Sequence, residues 1–477
     1  MKLRILKLAA CLNLLAFSMS GLAMADDAQI FEMVKSMQKK MEDMQKTIYQ
    51  QDQKISQLEN RTPSITTAPA VHEPNIPPQM TNADFSDKLD NYMGGKDASK
   101  WLKGLKYGGD MRLRWESVNY AKGNPSHSGN ENRARFRLRF GLEKKFNPDM
   151  KVGFRLASGQ LTDPTSTNQT LTGNFNNKVI DIDRAYAIYT PNWAKVGPVS
   201  KLEIGGGKFA NPFTRGSTDI IWDDDINPEG AYEMVDTKFI DTENLGVKAF
   251  ATAGQLILRE TAHNTSSAAN SELFAFQVGL TPEFKAFDKP VQLLNAISFY
   301  NYSDYAHQST FAAANSGASL AGGNPNVDGD ATALDANQFK VIEIYNSAEF
   351  KPFASLPTFK PYFDWAMNTA NAAPAASAGK EDMAWALGLK IGKAKKKGEW
   401  ELGYAYKYIE ANSVVGGFAD SDFGRAGRRG QVLGFKYGLT DDLQFGITGF
   451  LLNNLNHDTL TRDQSERRFF ADLVWAF

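Results

Sequence analysis

The feature that most constrains this chain is a two-residue alternation of side-chain type that begins near Leu105 and continues to Phe477. In segment 133–140 every odd position is arginine and every even position is apolar. Segments 110–116, 383–391, 400–408 and 469–477 alternate in the same way. Such a period places successive side chains on opposite faces of a β-strand. The region from 105 to 477 is therefore predicted to be all-β.

The length of the alternating segments indicates where these strands lie. Strands of soluble sandwiches most often have about 5–6 residues, whereas a strand needs roughly 9–11 residues to cross a bilayer at a tilt. Because every backbone polar group must be paired in lipid, such strands must close into a barrel. A bundle of transmembrane helices is excluded, because mean hydropathy is −0.40 and no apolar run approaches the roughly 18 residues required outside the first 25 residues.

Sixteen antiparallel transmembrane strands are predicted, connected alternately by short turns and long polar loops, as in barrels with periplasmic turns and external loops. They cover 105–118, 131–146, 149–158, 180–190, 200–210, 230–239, 243–259, 272–281, 290–303, 338–350, 358–369, 381–393, 398–411, 428–438, 442–453 and 466–477. The pattern leaves open which faces of 290–303 and 338–350 point outward. An even number of strands puts both ends of the barrel on the periplasmic side.

Residues 1–25 have the features of a secretory signal peptide. Three cations, Lys2, Arg4 and Lys7, precede an apolar stretch and the small-residue pattern Ala23-Met24-Ala25. Cleavage there changes the formal net charge from −1 to −4. It also removes Cys11, the only cysteine, so the mature chain is expected to use no disulfide and no thiolate metal site. A lipoprotein signal ending at Cys11 is disfavoured by the short apolar stretch before it.

Residues 28–60 carry a heptad repeat. The a positions are Val34, Met41, Ile48 and Ile55, and the d positions are Ile30, Met37, Met44, Gln51 and Leu58. This pattern predicts a periplasmic α-helical coiled coil and leaves dimer and trimer open; a single amphipathic helix packed on the rest of the protein is the alternative. Residues 61–104 form a proline-rich linker and a short polar segment.

The sequence resembles the trimeric outer-membrane porins of Gram-negative bacteria, specifically the "putative porin" family with an N-terminal coiled coil, and more distantly the phosphate-selective and dicarboxylate porins. The resemblance rests on the strand Tyr107–Trp115, on Gly205–Phe213 followed by Ile221–Gly230, and on the C-terminal strand. In that last strand Leu473, Trp475 and Phe477 match the assembly signal read by the barrel-assembly machinery.

The resemblance implies a homotrimeric barrel in outer-membrane lipid, with a third external loop that forms a constriction. That loop is 210–230 here, and its acidic residues are Asp219, Asp223, Asp224, Asp225 and Glu229. The alternation puts seven basic residues on the inner face of the first three strands: Arg112, Arg114, Arg133, Arg135, Arg137, Arg139 and Arg155. A basic wall opposite an acidic loop would focus an electric field across a narrow aqueous pore.

Both groups of charges also have other interpretations. The arginines can instead pair with Asp110, Glu116, Glu131 and Glu143 and stiffen the wall. The acidic residues can be exposed external charge, or Asp223, Asp225, Asn227 and Glu229 can bind Ca²⁺, although their spacing is not that of an EF-hand. No cofactor is expected.

The function predicted from these features is passive diffusion of small hydrophilic solutes through a water-filled channel with a modest anion bias. One alternative is a selective channel for phosphate or dicarboxylates, and another is a barrel-anchored tether to the cell wall. An enzyme is not expected, because His72 lies in the linker, the other four histidines (His127, His263, His307 and His457) lie in predicted loops, and no pair has zinc-like spacing. The balanced charge argues against nucleic acid as a partner.

Overall fold

The computed structural model describes residues 104–120, 130–159, 163–259, 270–286, 289–303, 339–353, 356–370, 381–455 and 465–477. The predicted signal peptide, coiled coil and proline-rich linker therefore lie outside the described residues. Within the described ranges, no helix has the length and apolar character needed to cross a membrane.

The described part of the chain forms seventeen β-strands, all in one sheet. They are β1 (Leu105–Tyr120), β2 (Asn130–Lys145), β3 (Met150–Ser158), β4 (Gln169–Thr170), β5 (Ile180–Tyr189), β6 (Val199–Lys208), β7 (Glu229–Asp241), β8 (Leu245–Arg259), β9 (Ser271–Ala286), β10 (Lys289–Ser303), β11 (Phe339–Phe350), β12 (Phe359–Asn368), β13 (Met383–Gly392), β14 (Trp400–Ile409), β15 (Arg428–Gly438), β16 (Leu443–Asn454) and β17 (Glu466–Ala476). Sixteen of them form the wall, and the two-residue β4 pairs with β2 beyond the end of β3.

The sheet closes on itself. Consecutive wall strands are antiparallel neighbours, and β17 returns to pair with β1 along eleven positions, from Asp110 opposite Ala476 to Tyr120 opposite Glu466. The main-chain N–H and C=O groups of Phe477 extend this ladder by bonding those of Gly109. Closure leaves the sheet without an edge, which satisfies the backbone throughout the wall. The predicted sixteen-stranded antiparallel barrel is confirmed.

On most strands of the wall, apolar side chains point outward and charged side chains point inward, as the alternation in the sequence predicted. On β1, Trp115 has 49% of its surface exposed outward, whereas the inward neighbours Arg114 and Glu116 are 7% and 0% exposed. Leu387 on β13 and Leu433 on β15 are likewise exposed on the outside. An apolar outer surface around a charged inner surface is the arrangement that lipid outside and water inside require.

The inner face departs from this pattern over β9 to β13. There it is apolar as well, because Leu273, Tyr300, Phe339 and Val341 point inward and are almost completely buried. Two loops fold into the barrel and cover them, as described below. This explains why the sequence left the facing of 290–303 and 338–350 ambiguous: both faces of these strands contact apolar groups.

Candidate functional site in the barrel interior

The third external loop, residues 209–228 between β6 and β7 and here called loop 3, turns into the barrel. Asn211 caps a short 3-10 helix, Pro212–Gly216, by accepting a hydrogen bond from the Phe213 N–H at 3.0 Å. Phe213 is fully buried against the edge of Tyr300, with ring centroids 6.0 Å apart. The Gln277 side chain donates to the carbonyl of Phe213 at 2.7 Å. These contacts fix the first half of loop 3 on the inner face of β9 and β10.

The middle of loop 3 crosses the inner face of β10 to β12. Thr218 donates from its N–H and its hydroxyl to one carboxylate oxygen of Asp364, at 2.9 and 2.6 Å. Trp222 packs edge-on against Tyr300, with centroids 5.5 Å apart. The apolar run Ile220-Ile221-Trp222 is nearly completely buried. It explains why this loop folds inward, because an apolar run in an external loop would otherwise face water.

A second loop, residues 410–427 between β14 and β15 and here called loop 7, also folds inward, although the sequence predicted a polar external loop. Val414 and Phe423 are 1% and 0% exposed. Loops 3 and 7 meet through their backbones, since the Asp223 N–H donates to the Phe418 carbonyl at 2.8 Å and the Asp420 N–H donates to the Asp219 carbonyl at 2.9 Å. The two loops thus form one structure across the interior.

Lys407, on the inner face of β14, links these loops to the wall. Its ammonium donates to Asp219 of loop 3 at 2.6 Å and to Asp420 of loop 7 at 2.8 Å, and its side chain is 3% exposed. We call these three residues the Lys407 triad. A single cation held between two carboxylates from different loops fixes the position of both loops.

The acidic residues of loop 3 have different surroundings. Asp219 belongs to the Lys407 triad, Asp223 accepts from the N–H and hydroxyl of Ser421, Asp224 is exposed, and Asp225 bonds Arg139 and Thr167. Glu229 is a correction to the sequence prediction. It is the first residue of β7, and its place in the alternation puts it on the outer face, where it pairs with Lys208 at 2.7 Å.

The side-chain oxygens of the four residues considered for Ca²⁺ do not converge on one point. The Asp225 N–H donates to Asp223 at 2.9 Å, but the carboxylates of these two residues contact different partners, and Glu229 lies on the outer face. The Asn227 side chain accepts from Arg184 at 2.7 Å and donates to Asp183 at 2.8 Å. Within the described ranges, no group of three or more His, Cys, Asp or Glu side chains is placed to hold a metal ion.

Local surroundings shift the titration of the loop carboxyls in opposite directions. Desolvation raises the pKa of Asp420 to about 6 even though Lys407 opposes the change. Desolvation also acts on Asp219, but the Lys407 ammonium outweighs it and lowers the pKa of that carboxyl. Burial raises the pKa of Asp223 well above its ordinary value, and the nearby Asp420 charge adds to the effect. At the contact between the loops, Asp219 therefore carries the more persistent negative charge.

The seven predicted arginines all lie on the inner face of β1 to β3, and six of them bond carboxylates. Arg114 bonds Asp472 and Asp422, Arg133 and Arg135 bond Glu116, Arg137 and Arg139 bond Asp110, and Arg155 bonds Asp183. Arg112 instead donates to the side-chain oxygen of Asn168 at 2.5 Å. The alternative interpretation, in which ion pairs stiffen the wall, therefore applies to six of the seven.

The basic wall and the acidic loop touch directly. An Arg139 nitrogen lies 3.2 Å from an Asp225 oxygen, so no gap separates the two groups of charges at this point. Of the wall carboxylates expected to pair with arginine, Asp110, Glu116 and Glu131 do so, and Glu143 pairs with Lys151 at 2.9 Å.

The residues of the predicted assembly signal lie where β17 meets β1. Leu473 is opposite Leu113, and Trp475 is opposite Met111, both on the outer face. Phe477 follows the last residue of β17 and is 57% exposed. The structure thus places all three at the seam that closes the barrel.

Several residues of the interior were not predicted as site residues. Lys407, Asp364, Asp420 and Asp422 all contact loop 3, loop 7 or the arginine wall. The available signal was the apolar content of loop 7, where Val414, Val415 and Phe423 interrupt a polar sequence. The alternation on β14 also put Lys407 on the inner face.

A family model described as "Putative porin" matches residues 125–338 and 331–456 of the chain. Among solved structures, Pseudomonas putida OprB at high pH is 10% identical, covers 81% of this chain and 97% of its own, and has a TM-score of 0.45. Salmonella typhi OmpF in complex with daunomycin is 11% identical over 79% of this chain and 99% of its own, with a TM-score of 0.43. A triple mutant of Rhodopseudomonas blastica porin is 10% identical over 78% and 100%, with a TM-score of 0.36. No curated protein sequence matches the chain.

Proposed function

Because the chain belongs to the "Putative porin" family, whose model spans more than half of it, we propose that it forms a water-filled channel for passive diffusion of small hydrophilic solutes across the outer membrane, with a modest preference for anions. The observation that carries this proposal is the fold of loops 3 and 7. They fold into a barrel whose inner wall is charged, and are held there by Asp364 and the Lys407 triad. Narrowing by polar loops limits the size of a solute and penalises apolar ones.

The anion preference rests on which inner charges lack a counter-ion. Most cations of the wall are neutralised, but Arg112 has no carboxylate within ion-pair distance among the described residues. On the acidic side, burial and the nearby Asp420 charge raise the pKa of Asp223, which weakens the hold of that carboxyl on its negative charge. A cation of the wall that lacks a carboxylate partner attracts anions, and a field in a narrow low-dielectric passage is focused.

Planar bilayer recording tests the proposal. Purified protein is expected to give ohmic single-channel steps in KCl, with a reversal potential under a salt gradient that shows anion preference. Arg112→Gln is expected to reduce that preference, and the control Arg467→Gln, on the outer face of β17, is expected to leave it unchanged. Absence of conductance would refute the channel, and cation preference in the unmodified protein would refute the anion bias.

The same family membership supports a homotrimer, and the outer face of β5 to β8 is the surface we propose for the contact. Its outward positions include a group of small or polar residues, Ala187, Gly206, Ala231, Glu233 and Ala253, among larger ones such as Leu202 and Ile204. On the neighbouring β9 the corresponding residues are large and apolar, for example Phe276 and Val278. Small residues let two barrels approach closely, and Glu233 is costly against lipid.

Tryptophan substitution on this face tests the contact. Ala253→Trp is expected to convert the heat-resistant trimer on a mildly denaturing gel to monomer, because a large ring prevents close approach. Ala471→Trp makes the same change on the outer face of β17 and is expected to leave the trimer intact. A trimer that survives Ala253→Trp would show that this face points to lipid.

A further inference from the structure

Two lysines on neighbouring strands face each other inside the barrel. Lys360 of β12 and Lys390 of β13 are direct partners in the antiparallel register. Both are in phase with residues that are fully buried inside, Asp364 on β12 and Ala386 on β13, so both point inward. Like charges directly opposite each other destabilise a strand pair. The arrangement therefore costs free energy unless an anion offsets it.

No carboxylate of the described residues lies within ion-pair distance of either lysine. Other lysines of the same region are paired: Lys248 with Glu283 at 2.8 Å and Lys393 with Glu349 at 2.5 Å. Lys360 and Lys390 are therefore exceptions in a wall whose other charges are mostly matched. A cation that the protein leaves unmatched is available to a soluble anion.

Lys360 also opens onto a recess of about 230 Å³ beneath loop 3. Two further cations, Arg215 and Lys248, line it together with the hydroxyls of Thr281 and Ser347. The two carboxylates of the lining, Glu283 and Glu349, are already paired with Lys248 and Lys393. Arg215 is held in place by an ion pair with Asp236 and by the Phe250 ring, whose centroid is 4.1 Å from the guanidinium carbon. The recess thus offers N–H and O–H donors, with a space large enough for a small ion next to Lys360.

We propose that Lys360 and Lys390 form a binding subsite for a small dianion, an oxyanion such as inorganic phosphate or a short dicarboxylate. This inference rests on the proposed channel function and adds to it a site inside the pore where the solute binds transiently. A dianion neutralises both ammonium groups at once, whereas a monoanion leaves one unmatched.

The carboxyl groups of loop 3 keep such a subsite weak. Asp219 and Asp224 lie close enough to Lys390 for its charge to influence their titration. They therefore compete with a bound anion for the same cation. Conduction requires binding that is strong enough for entry and weak enough for release. Competition from these carboxylates keeps the binding weak enough for release.

Block of chloride current by dianions tests the subsite. In KCl at pH 7.5, inorganic phosphate and succinate are expected to reduce the single-channel current saturably, and acetate at equal ionic strength is not. Lys360→Gln and Lys390→Gln are each expected to raise the half-blocking concentration roughly tenfold, since each removes one charge-assisted contact. Lys390→Arg, which keeps the charge, is expected to stay near the unmodified value.

The matched control is Lys151→Gln, which removes the same charge from a lysine of β3 that is already paired with Glu143. Its half-blocking concentration is expected to stay within about twofold of the unmodified protein. Three outcomes would refute the subsite without refuting the channel. They are an equal loss of affinity in this control, an equal block by acetate, and a KCl current that phosphate and succinate do not block saturably. Block by phosphate alone or by succinate alone would support the subsite and show which class of dianion it binds. Absence of any conductance would refute the channel and the subsite together.

Discussion

Replacing Lys407 by methionine tests whether loops 3 and 7 are held inside the barrel by the Lys407 triad. Methionine keeps the length of the side chain but removes the charge. Asp219 and Asp420, which accept from the Lys407 ammonium at 2.6 and 2.8 Å, would then face each other without a cation. The expected result is a less stable barrel whose two loops separate and whose conductance is larger and noisier.

The magnitude follows from the burial and distances of the triad. At an effective dielectric constant of about 20, each contact contributes roughly 6 kcal/mol of attraction before desolvation is counted. Desolvation of the three groups offsets most of this, and removing one partner of a buried ion pair costs about 3–5 kcal/mol in total. The pKa of Asp420 is already about 6 with Lys407 present. Without the lysine it rises further, so proton uptake relieves up to about 1.4 kcal/mol of that cost per pH unit of acidification.

Guanidinium unfolding in detergent micelles, followed by tryptophan fluorescence at pH 7.5 and at pH 5, measures the stability. Lys407→Met is expected to lose about 3–5 kcal/mol at pH 7.5 and clearly less at pH 5. Single-channel recording then measures the conductance.

Two further variants distinguish this account from a general loss of packing. Combining Lys407→Met with Asp219→Asn and Asp420→Asn is expected to restore most of the stability, because a neutral cluster leaves no unpaired charge. Lys393→Met, which breaks a half-exposed pair, is expected to cost less than about 1 kcal/mol. A Lys407→Met protein with unchanged unfolding midpoint and unchanged conductance would refute the reasoning.

Three other outcomes are expected. Acidification from pH 7.5 to 5 should increase the anion preference measured by reversal potential. Asp420, whose pKa is raised to about 6, is ionised at the higher pH and takes up a proton at the lower pH. A reversal potential that does not change with pH would contradict this. Gly388→Ala should cost about 1–3 kcal/mol in the same unfolding assay, since its Cβ would lie 2.2 Å from the Tyr362 ring, whereas Gly403→Ala, with nothing within 4 Å, should not. Deleting residues 28–60 should leave the conductance intact and lower the temperature at which the trimer dissociates on a gel, and a trimer of unchanged heat resistance would exclude a clamping role for the predicted coiled coil.

The strands were predictable because each one is specified locally. Two-residue alternation placed the wall strands within a few residues of their observed bounds, since the environment on each side of the barrel changes at every residue. The largest miss is β9, predicted to end at 281 but continuing to Ala286. Pro282 lies in this extension, and a proline is tolerated in a strand only where no ladder hydrogen bond needs its N–H. The structure accommodates this proline because the β9–β10 ladder is interrupted between Leu280 and Glu283.

The inward fold of the loops was not predictable in the same way, because it depends on contacts between distant parts of the chain. Thr218 and Asp364 are 146 positions apart, and Asp223 and Ser421 are 198 apart. The alternation established that Lys407 and the seven arginines point inward. It contained no information about which carboxylate each of them meets, since that depends on the positions of neighbouring strands around the barrel.

The pairing of the first strand with the last has a consequence for how the molecule is made. Arg114 and Asp472, bonded across that seam, are 358 positions apart. Until they meet, β1 and β17 each expose a full row of unpaired peptide groups, to which any other extended chain can attach. The barrel can therefore close only after translation of the last strand. Until then, a chaperone is needed to shield the two unpaired strand edges from aggregation.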